Sequence, residues 1–331
     1  MLISFLSVLL FESCIAFMIH IPSCIRFPFD NFISNIYILV FRNIIQYDSS
    51  CAKYDPTLTY TLRPGTCTFS NVEYGNVFHI NSLGVRDDED SLEVPAVIVI
   101  GDSEAMGWGV DQDETYAQII ENASGMRVLN AAVSSYGTVR EMRMLNRIDA
   151  SRLRYLIIHY DKNDSLENFQ FYSRRNTLDI MPEEAYETLK ARYERWKRYY
   201  PGKFTLLFVK SIIKGTAFDK FDFMETEGLS AIPPGMEAKI FLNAIINTSH
   251  PPLDKAEVIV VGEKDFLSSL KEEARSPDYP EYVRNISTVN CEPMLDSSCY
   301  YALDDHLNAK GHKIIAQAIL DLLNNTYLNL I

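Results

Sequence analysis

The chain has no basic tract, no CxxC, no GK[ST] and no pair of histidines at i,i+4 spacing. Each absence removes a class of function. With 31 basic residues against 44 acidic ones and a formal net charge of −13, the chain offers no compensating run to a phosphate backbone, so nucleic acid is not expected as a partner. The stretch GDSEAMGWG is glycine-containing but lacks a phosphate-binding lysine, which argues against a nucleotide site. His306 and His312, the one close histidine pair, are wrongly spaced for a helical metal site. No metal and no cofactor is expected. Repeats and low-complexity runs are missing too, while 47% hydrophobic residues suffice for a full core.

The N-terminus also lacks something: residues 1–20, MLISFLSVLLFESCIAFMIH, are apolar apart from Glu12 but have no basic flank. Three readings stay open: a signal peptide, a signal anchor that attaches the chain to a membrane, or a buried N-terminal helix. Cys51, Cys67, Cys291 and Cys299 form two sequence-local couples. Loops closed by Cys51–Cys67 and Cys291–Cys299 would suit an oxidising, extracytoplasmic compartment, periplasmic or secreted; four buried free thiols are the alternative.

Residues 21–90 read as an irregular lead-in rich in aromatic, Pro and Gly residues, ending in HINSLGVRDDED. From residue 96 the pattern changes. AVIVIG is a buried strand, DETYAQIIENASG a helix, RVLNAAV a strand, TVREMRMLNRI a helix and YLIIHY a third strand. Beyond Asp164 the alternation stops, and MPEEAYETLKARYERWKRYY reads as an amphipathic helix with a solvated face. It resumes with AEVIVVG, FLSSLKEEAR, NISTVN and the closing helix NAKGHKIIAQAILDLLNN. Strands alternating with helices predict right-handed βαβ units: one α/β domain over 91–331 with a helical insertion at about 165–250. The expected fold is a three-layer α/β/α sandwich with a mainly parallel, flavodoxin-like sheet, its chemistry at the carboxyl ends of the strands.

Ser103 stands where the first strand breaks off, as either an exposed nucleophile or an N-cap. A nucleophilic serine needs a base and the base an orienting group. His306, in LDDHLNAKGH between the last strand and last helix, lies on the same edge of the sheet, or else is a surface loop histidine. Asp304, two residues before it, can curl back to the ring Nδ1–H. His312 falls on the closing helix and reads as packing, and His159 ends a strand. For a developing oxyanion, Asn163 offers a side-chain amide and Ser135 a backbone N–H, although both residue types are ordinary turn formers.

Taken together these blocks resemble the SGNH hydrolase superfamily, the GDSL esterases and lipases. Gly101-Asp102-Ser103 resembles its first block, Asn130 through Gly137 the second, Asn163-Asp164 the third and Asp304 through His306 the fifth. NSLGVRDDE and HLNAKGH resemble flanking segments of bacterial members, so the likeness covers roughly residues 80–165 and 285–322. It implies Ser103 as nucleophile, His306 as base and Asp304 as the orienting acid. The Ser103 and Ser135 N–H groups and the Asn163 side chain would be the oxyanion donors. Ser135 replaces the usual second-block glycine, and Tyr160 or Asp161 stands where the third block has one. Leu303 occupies the usual position of the acid; the shorter spacing of Asp304 resembles the variant in polysaccharide O-acetyl-modifying members. The implied activity is a serine ester hydrolase working through an acyl-serine, on an acylated small molecule or acetylated glycan. The alternatives are an O-acyltransferase on a glycan using the same site and a non-catalytic carbohydrate-binding protein of this fold.

Overall fold

A computed structural model describes residues 6–14, 44–71, 73–198, 200–203, 205–206, 209, 232, 235–248, 250–302 and 304–328. In chain order the strands are β1 (Ala52–Asp55), β2 (Thr59–Leu62), β3 (Gly65–Ser70), β4 (Gly75–Ile80), β5 (Val97–Gly101), β6 (Val128–Asn130), β7 (Tyr155–His159), β8 (Glu257–Val261) and β9 (Ser287–Val289). The helices are α1 (Ser103–Met106), α2 (Tyr116–Ser124), α3 (Thr138–Leu145), α4 (Asp164–Ser173), α5 (Glu183–Lys197), α6 (Glu237–Asn247), α7 (Lys264–Glu273), α8 (Glu281–Arg284) and α9 (Ala309–Leu328).

The core is a five-stranded, all-parallel sheet in the order β6-β5-β7-β8-β9. Val97 to Ile100 in β5 are all fully buried, as a central strand covered on both faces must be. Each such side chain withdrawn from water contributes about 1.5–3 kcal/mol. Helices α2 and α9 pack together on one face, and α3, α4, α6 and α7 pack in turn on the other. That is the three-layer arrangement expected. α9 buries Ile315, Ala316, Ile319 and Leu323, the stripe its sequence spacing predicts. The crossovers β5 to β6 and β6 to β7 leave in opposite directions, so a switch point opens between the carboxyl ends of β5 and β7.

Three expectations need correction. The lead-in is not irregular throughout: β1 pairs with β2 and β3 with β4, giving two antiparallel hairpins. β3 and β4 alternate buried and exposed residues, with Cys67, Phe69, Phe78 and Ile80 turned inward, over runs too short to read among glycines. Secondly, Cys51–Cys67 is a disulfide, with Cα atoms 5.2 Å apart, but Cys291 and Cys299 are separate buried thiols. Each of those two is tied to its own turn. Cys291 precedes the Glu292–Met294 turn and Cys299 closes Ser297–Cys299, its carbonyl accepting from the Asn308 N–H at 2.9 Å. Lastly, α4 and α6, which the failed alternation hid, form part of the crossover from β7 to β8.

Residues 6–14 are helical, while 1–5 and 15–20 of the apolar leader lie outside the described residues. Glu12 is buried and its Oε2 accepts from the backbone and hydroxyl of Thr205, at 3.0 and 2.9 Å. Among the described residues no helix is long and apolar enough to cross a membrane, and the signal and membrane readings gain no support.

Candidate active site

β5 ends in a turn that only glycine allows. Gly101 has φ of 155°, and a Cβ there would lie 2.6 Å from Ala105 Cβ and 3.0 Å from the His159 carbonyl oxygen. Asp102 follows as the N-cap of α1, its carboxylate accepting from the Glu104 N–H at 3.0 Å. Ser103 is therefore not the cap; it opens the helix with its hydroxyl at the switch point, 8% exposed.

His306 arrives on a loop that folds back on itself. Tyr300 and Leu307 form a bridge, and the Tyr301 N–H donates to the His306 carbonyl at 2.9 Å. His306 Nε2 lies 2.9 Å from Ser103 Oγ, and Nδ1 lies 2.5 Å from Asp304 Oδ1. Hydroxyl, imidazole and carboxylate thus form one hydrogen-bonded row. Asp305 between the latter two has φ of 61°, the left-handed kink that turns the Asp304 side chain back toward the ring. The Trp108 indole stacks on the imidazole at 4.9 Å between centroids, tilted by 19°.

Asn163 reaches the same place from beyond β7: its Nδ2 donates to Asp102 Oδ2 at 2.9 Å. Ser135 lies on the loop after β6, which the Val133 N–H holds beside β5 by donating to the Gly101 carbonyl at 3.1 Å. It has φ of 60°, so the serine adopts the backbone form a glycine would take, at about 1 kcal/mol. Asp164 turns away into the core, its Oδ2 accepting from Thr138 Oγ1 at 3.5 Å. His312 is fully buried, its Nδ1 accepting from the Tyr116 N–H at 3.3 Å, and is a packing residue as read. His159 rests 5.8 Å from the Tyr116 ring. Among the described residues no group of His, Cys, Asp and Glu side chains is arranged to hold a metal ion.

Negative charge dominates the electrostatics. Burial lowers the His306 pKa, but the Asp304 hydrogen bond and the carboxylates of Glu104, Asp304 and Asp102 outweigh it, leaving it raised to about 9. Burial lifts Glu104 to about 7, and burial with the nearby Asp161 charge lifts Asp102 to about 6.

Four neighbours of the row escaped sequence reasoning. Glu104 accepts from the Leu307 N–H at 3.1 Å, and Trp108 covers the imidazole; both sit in the GDSEAMGWG stretch and were within reach of notice. Asn71 and Tyr74, from the β3–β4 turn, both donate to Asp304 Oδ2, at 2.7 and 2.8 Å. Nothing in their local pattern marks them.

No family model matches the chain, and no curated protein does. Among solved structures it is similar to a protein assigned to the G-D-S-L lipolytic family from Desulfitobacterium hafniense DCB-2, at 11% identity over 67% of this chain and 96% of that one, with a TM-score of 0.33. It is similar to an extracellular lipase from Streptomyces rimosus at 13% identity over 69% of this chain and 98% of that one, TM-score 0.34. A family two carbohydrate esterase from Cellvibrio japonicus matches at 14% identity over 70% of this chain and 62% of that one, TM-score 0.32. At these TM-scores the likeness stands as an observation only, and the chemistry rests on the chain's own residues.

Proposed function

We propose that the chain is an extracytoplasmic serine ester hydrolase in which Ser103, His306 and Asp304 form the reacting row. One observation carries this: Ser103 Oγ, the His306 ring and the Asp304 carboxylate meet in sequence, at 2.9 and 2.5 Å, from a helix start and a loop at opposite ends of the domain. Ser103 Oγ attacks the ester carbonyl as His306 Nε2 takes its proton. The oxyanion is received by the Ser103 and Ser135 N–H groups and the Asn163 amide. That amide is oriented by one N–H bonded to Asp102 and has a second N–H to give. His306 then protonates the departing alcohol, and water activated by the same nitrogen releases the acid from the acyl-serine. The Cys51–Cys67 disulfide supports the compartment. Asp102, Glu104, Asp304 and Asp305 around the imidazole favour a substrate with no negative charge beside its ester, such as a neutral acetylated glycan or short-chain ester.

The test is hydrolysis of p-nitrophenyl acetate and longer-chain esters by the wild type and Ser103→Ala. The substitution is expected to lower kcat by roughly 10³-fold or more. Hydrolysis unchanged in Ser103→Ala overturns the assignment.

A further inference from the structure

We propose that the β3–β4 hairpin is a positioning device for the acid of the row: Asn71 and Tyr74 hold the Asp304 carboxylate so that its Oδ1 faces His306, and Glu73 holds the backbone that carries it. This rests on the reading of Ser103, His306 and Asp304 given above.

Asp304 sits on an irregular loop, two residues from its partner and beside a left-handed residue, with no helix or strand to fix its rotamer. An outside hold is what it needs and has. The Asn71 amide and the Tyr74 hydroxyl converge on Oδ2, at 2.7 and 2.8 Å, which leaves Oδ1 to the imidazole at 2.5 Å. The Glu73 carboxylate takes two backbone donors of the same loop, the Ala302 N–H at 2.7 Å and the Asp304 N–H at 3.0 Å. The turn bearing these residues is itself rigid. Asn71 Oδ1 accepts from the N–H groups of Glu73 and Tyr74, at 2.7 and 3.1 Å, and the Asn71 N–H closes onto the Tyr74 carbonyl at 2.9 Å. The Tyr74 ring is packed between Phe69, 6.0 Å away, and Tyr301, 5.0 Å away. Further back, Cys67 of β3 is bonded to Cys51, so the hairpin is fastened at its base as well as its tip. A carboxylate held by two donors, on a backbone held by a third residue, keeps little orientational freedom, and orientation is where a triad acid acts.

The imidazole faces Asp304 and Asp305 on its own loop, Glu104 and Asp102 on the turn after β5, and His312 on α9, while Asp161 beyond β7 acts on the carboxylates of that turn. Of the influences that raise it, the Asp304 hydrogen bond is the largest. A carboxylate allowed to swing away removes that influence while Glu104 and Asp102 remain, so the imidazole must then lose its proton at lower pH.

The experiment compares Tyr74→Phe, and Asn71→Ala combined with Tyr74→Phe, with the wild type. Hydrolysis of p-nitrophenyl acetate is followed against pH, and His306 is titrated by ¹³Cε1 NMR, its signal assigned by loss in His306→Gln. The expected result is kcat lower by about tenfold in the single variant and about 100-fold in the double, with KM within about twofold. The midpoint of kcat/KM and the His306 titration should both fall by about one pH unit in the double variant. A hairpin that merely supports the fold would shift the melting temperature and leave the titration in place. That outcome, in variants that remain folded by circular dichroism, overturns the proposal. If the double variant does not fold, the isosteric Tyr74→Phe decides, by a titration shift or its absence. Retained hydrolysis in Ser103→Ala would overturn the reaction instead, and the NMR titration would still report on the hairpin.

Discussion

Glu104 is a carboxylate outside the reacting row whose charge bears on the His306 imidazole. Its Oε2 accepts from the N–H of Leu307, next to the imidazole, and burial raises its pKa to about 7. Above that pH it is a carboxylate facing His306, one of the charges that raise the imidazole to about 9. A base must be neutral to accept the Ser103 proton, so kcat/KM should climb with pH through that value. Glu104→Gln keeps an acceptor for the Leu307 N–H and removes the charge. The expected outcome is a pH–rate midpoint lower by about 0.5 to 1 unit, and a rate at pH 7 higher by about three- to tenfold. A midpoint that stays or moves upward would show that the charge of Glu104 does not reach the imidazole.

At the scale of elements, the turn after α1 depends on one buried arginine. Arg86 is fully buried; its guanidinium donates to the carbonyls of Met106, Gly107 and Val110 and to the Gln112 side chain, and lies 3.9 Å over the Phe78 ring. Those carbonyls belong to the turn that presents Trp108 to His306. Burial lowers the Arg86 pKa to about 9 in spite of Asp111 and Asp87, so its charge is held at a cost that its hydrogen bonds offset. Arg86→Met would leave the carbonyls unpaired in an apolar interior, for a loss of about 3–5 kcal/mol in urea unfolding. A loss below about 1 kcal/mol would mean that water replaces the guanidinium freely.

The same scale shows what the sequence could disclose. β5, β7 and β8 were legible because strands covered on both faces are continuous apolar runs. α6 was not, although it is a regular helix. It buries Ala238, Ile240, Phe241, Leu242, Ala244 and Ile245 among α3, α4 and α7, and a helix enclosed that widely loses the one-sided periodicity that announces it. α4 was hidden for the opposite reason, since it buries Asp164, Ser165 and Asn168 and shows little hydrophobic pattern. Ser103, His306 and Asp304 could be named because each follows a strand at the carboxyl edge of the sheet, Ser103 at a helix start and the other two on a loop, where topology brings side chains together. The hold of Asn71 on Asp304 spans 233 residues between a hairpin and a loop, and no local spacing encodes such a contact.

For the molecule as a whole, the acids that folding buries decide how stability varies with pH. Burial raises Asp87 and Glu104 to about 7 and Asp102 to about 6, and lifts Glu141 and Asp164 well above the carboxylate range. Among the described residues neither oxygen of Glu141 has a hydrogen-bond partner. Each of these groups keeps a proton in the folded chain that the unfolded chain releases near its ordinary value. Stability is therefore lost as pH rises from that value toward the folded pKa, at up to about 1.4 kcal/mol per unit for each proton so held. His306, raised to about 9, acts in the same direction: its contribution is full below about 6.5 and is lost as pH rises through 9. The formal net charge of −13 at pH 7 adds self-repulsion that grows as the pH moves away from the pI near 5.0. Opposing them are His159 and His312, lowered by burial to about 4 and 3, which stay neutral in the fold and cost stability below about 6.5. The melting temperature should therefore rise by about 5 °C or more, equivalent to about 2 kcal/mol or more, as pH falls from 8.5 to 6.5, and go on rising more gently below that, because the raised acids outnumber the two histidines. Melts at constant ionic strength measure the slope, and Glu141→Gln, which cannot ionise, should flatten it. A melting temperature that rises with pH over this interval would mean that the buried acids are ionised and paired in the folded chain.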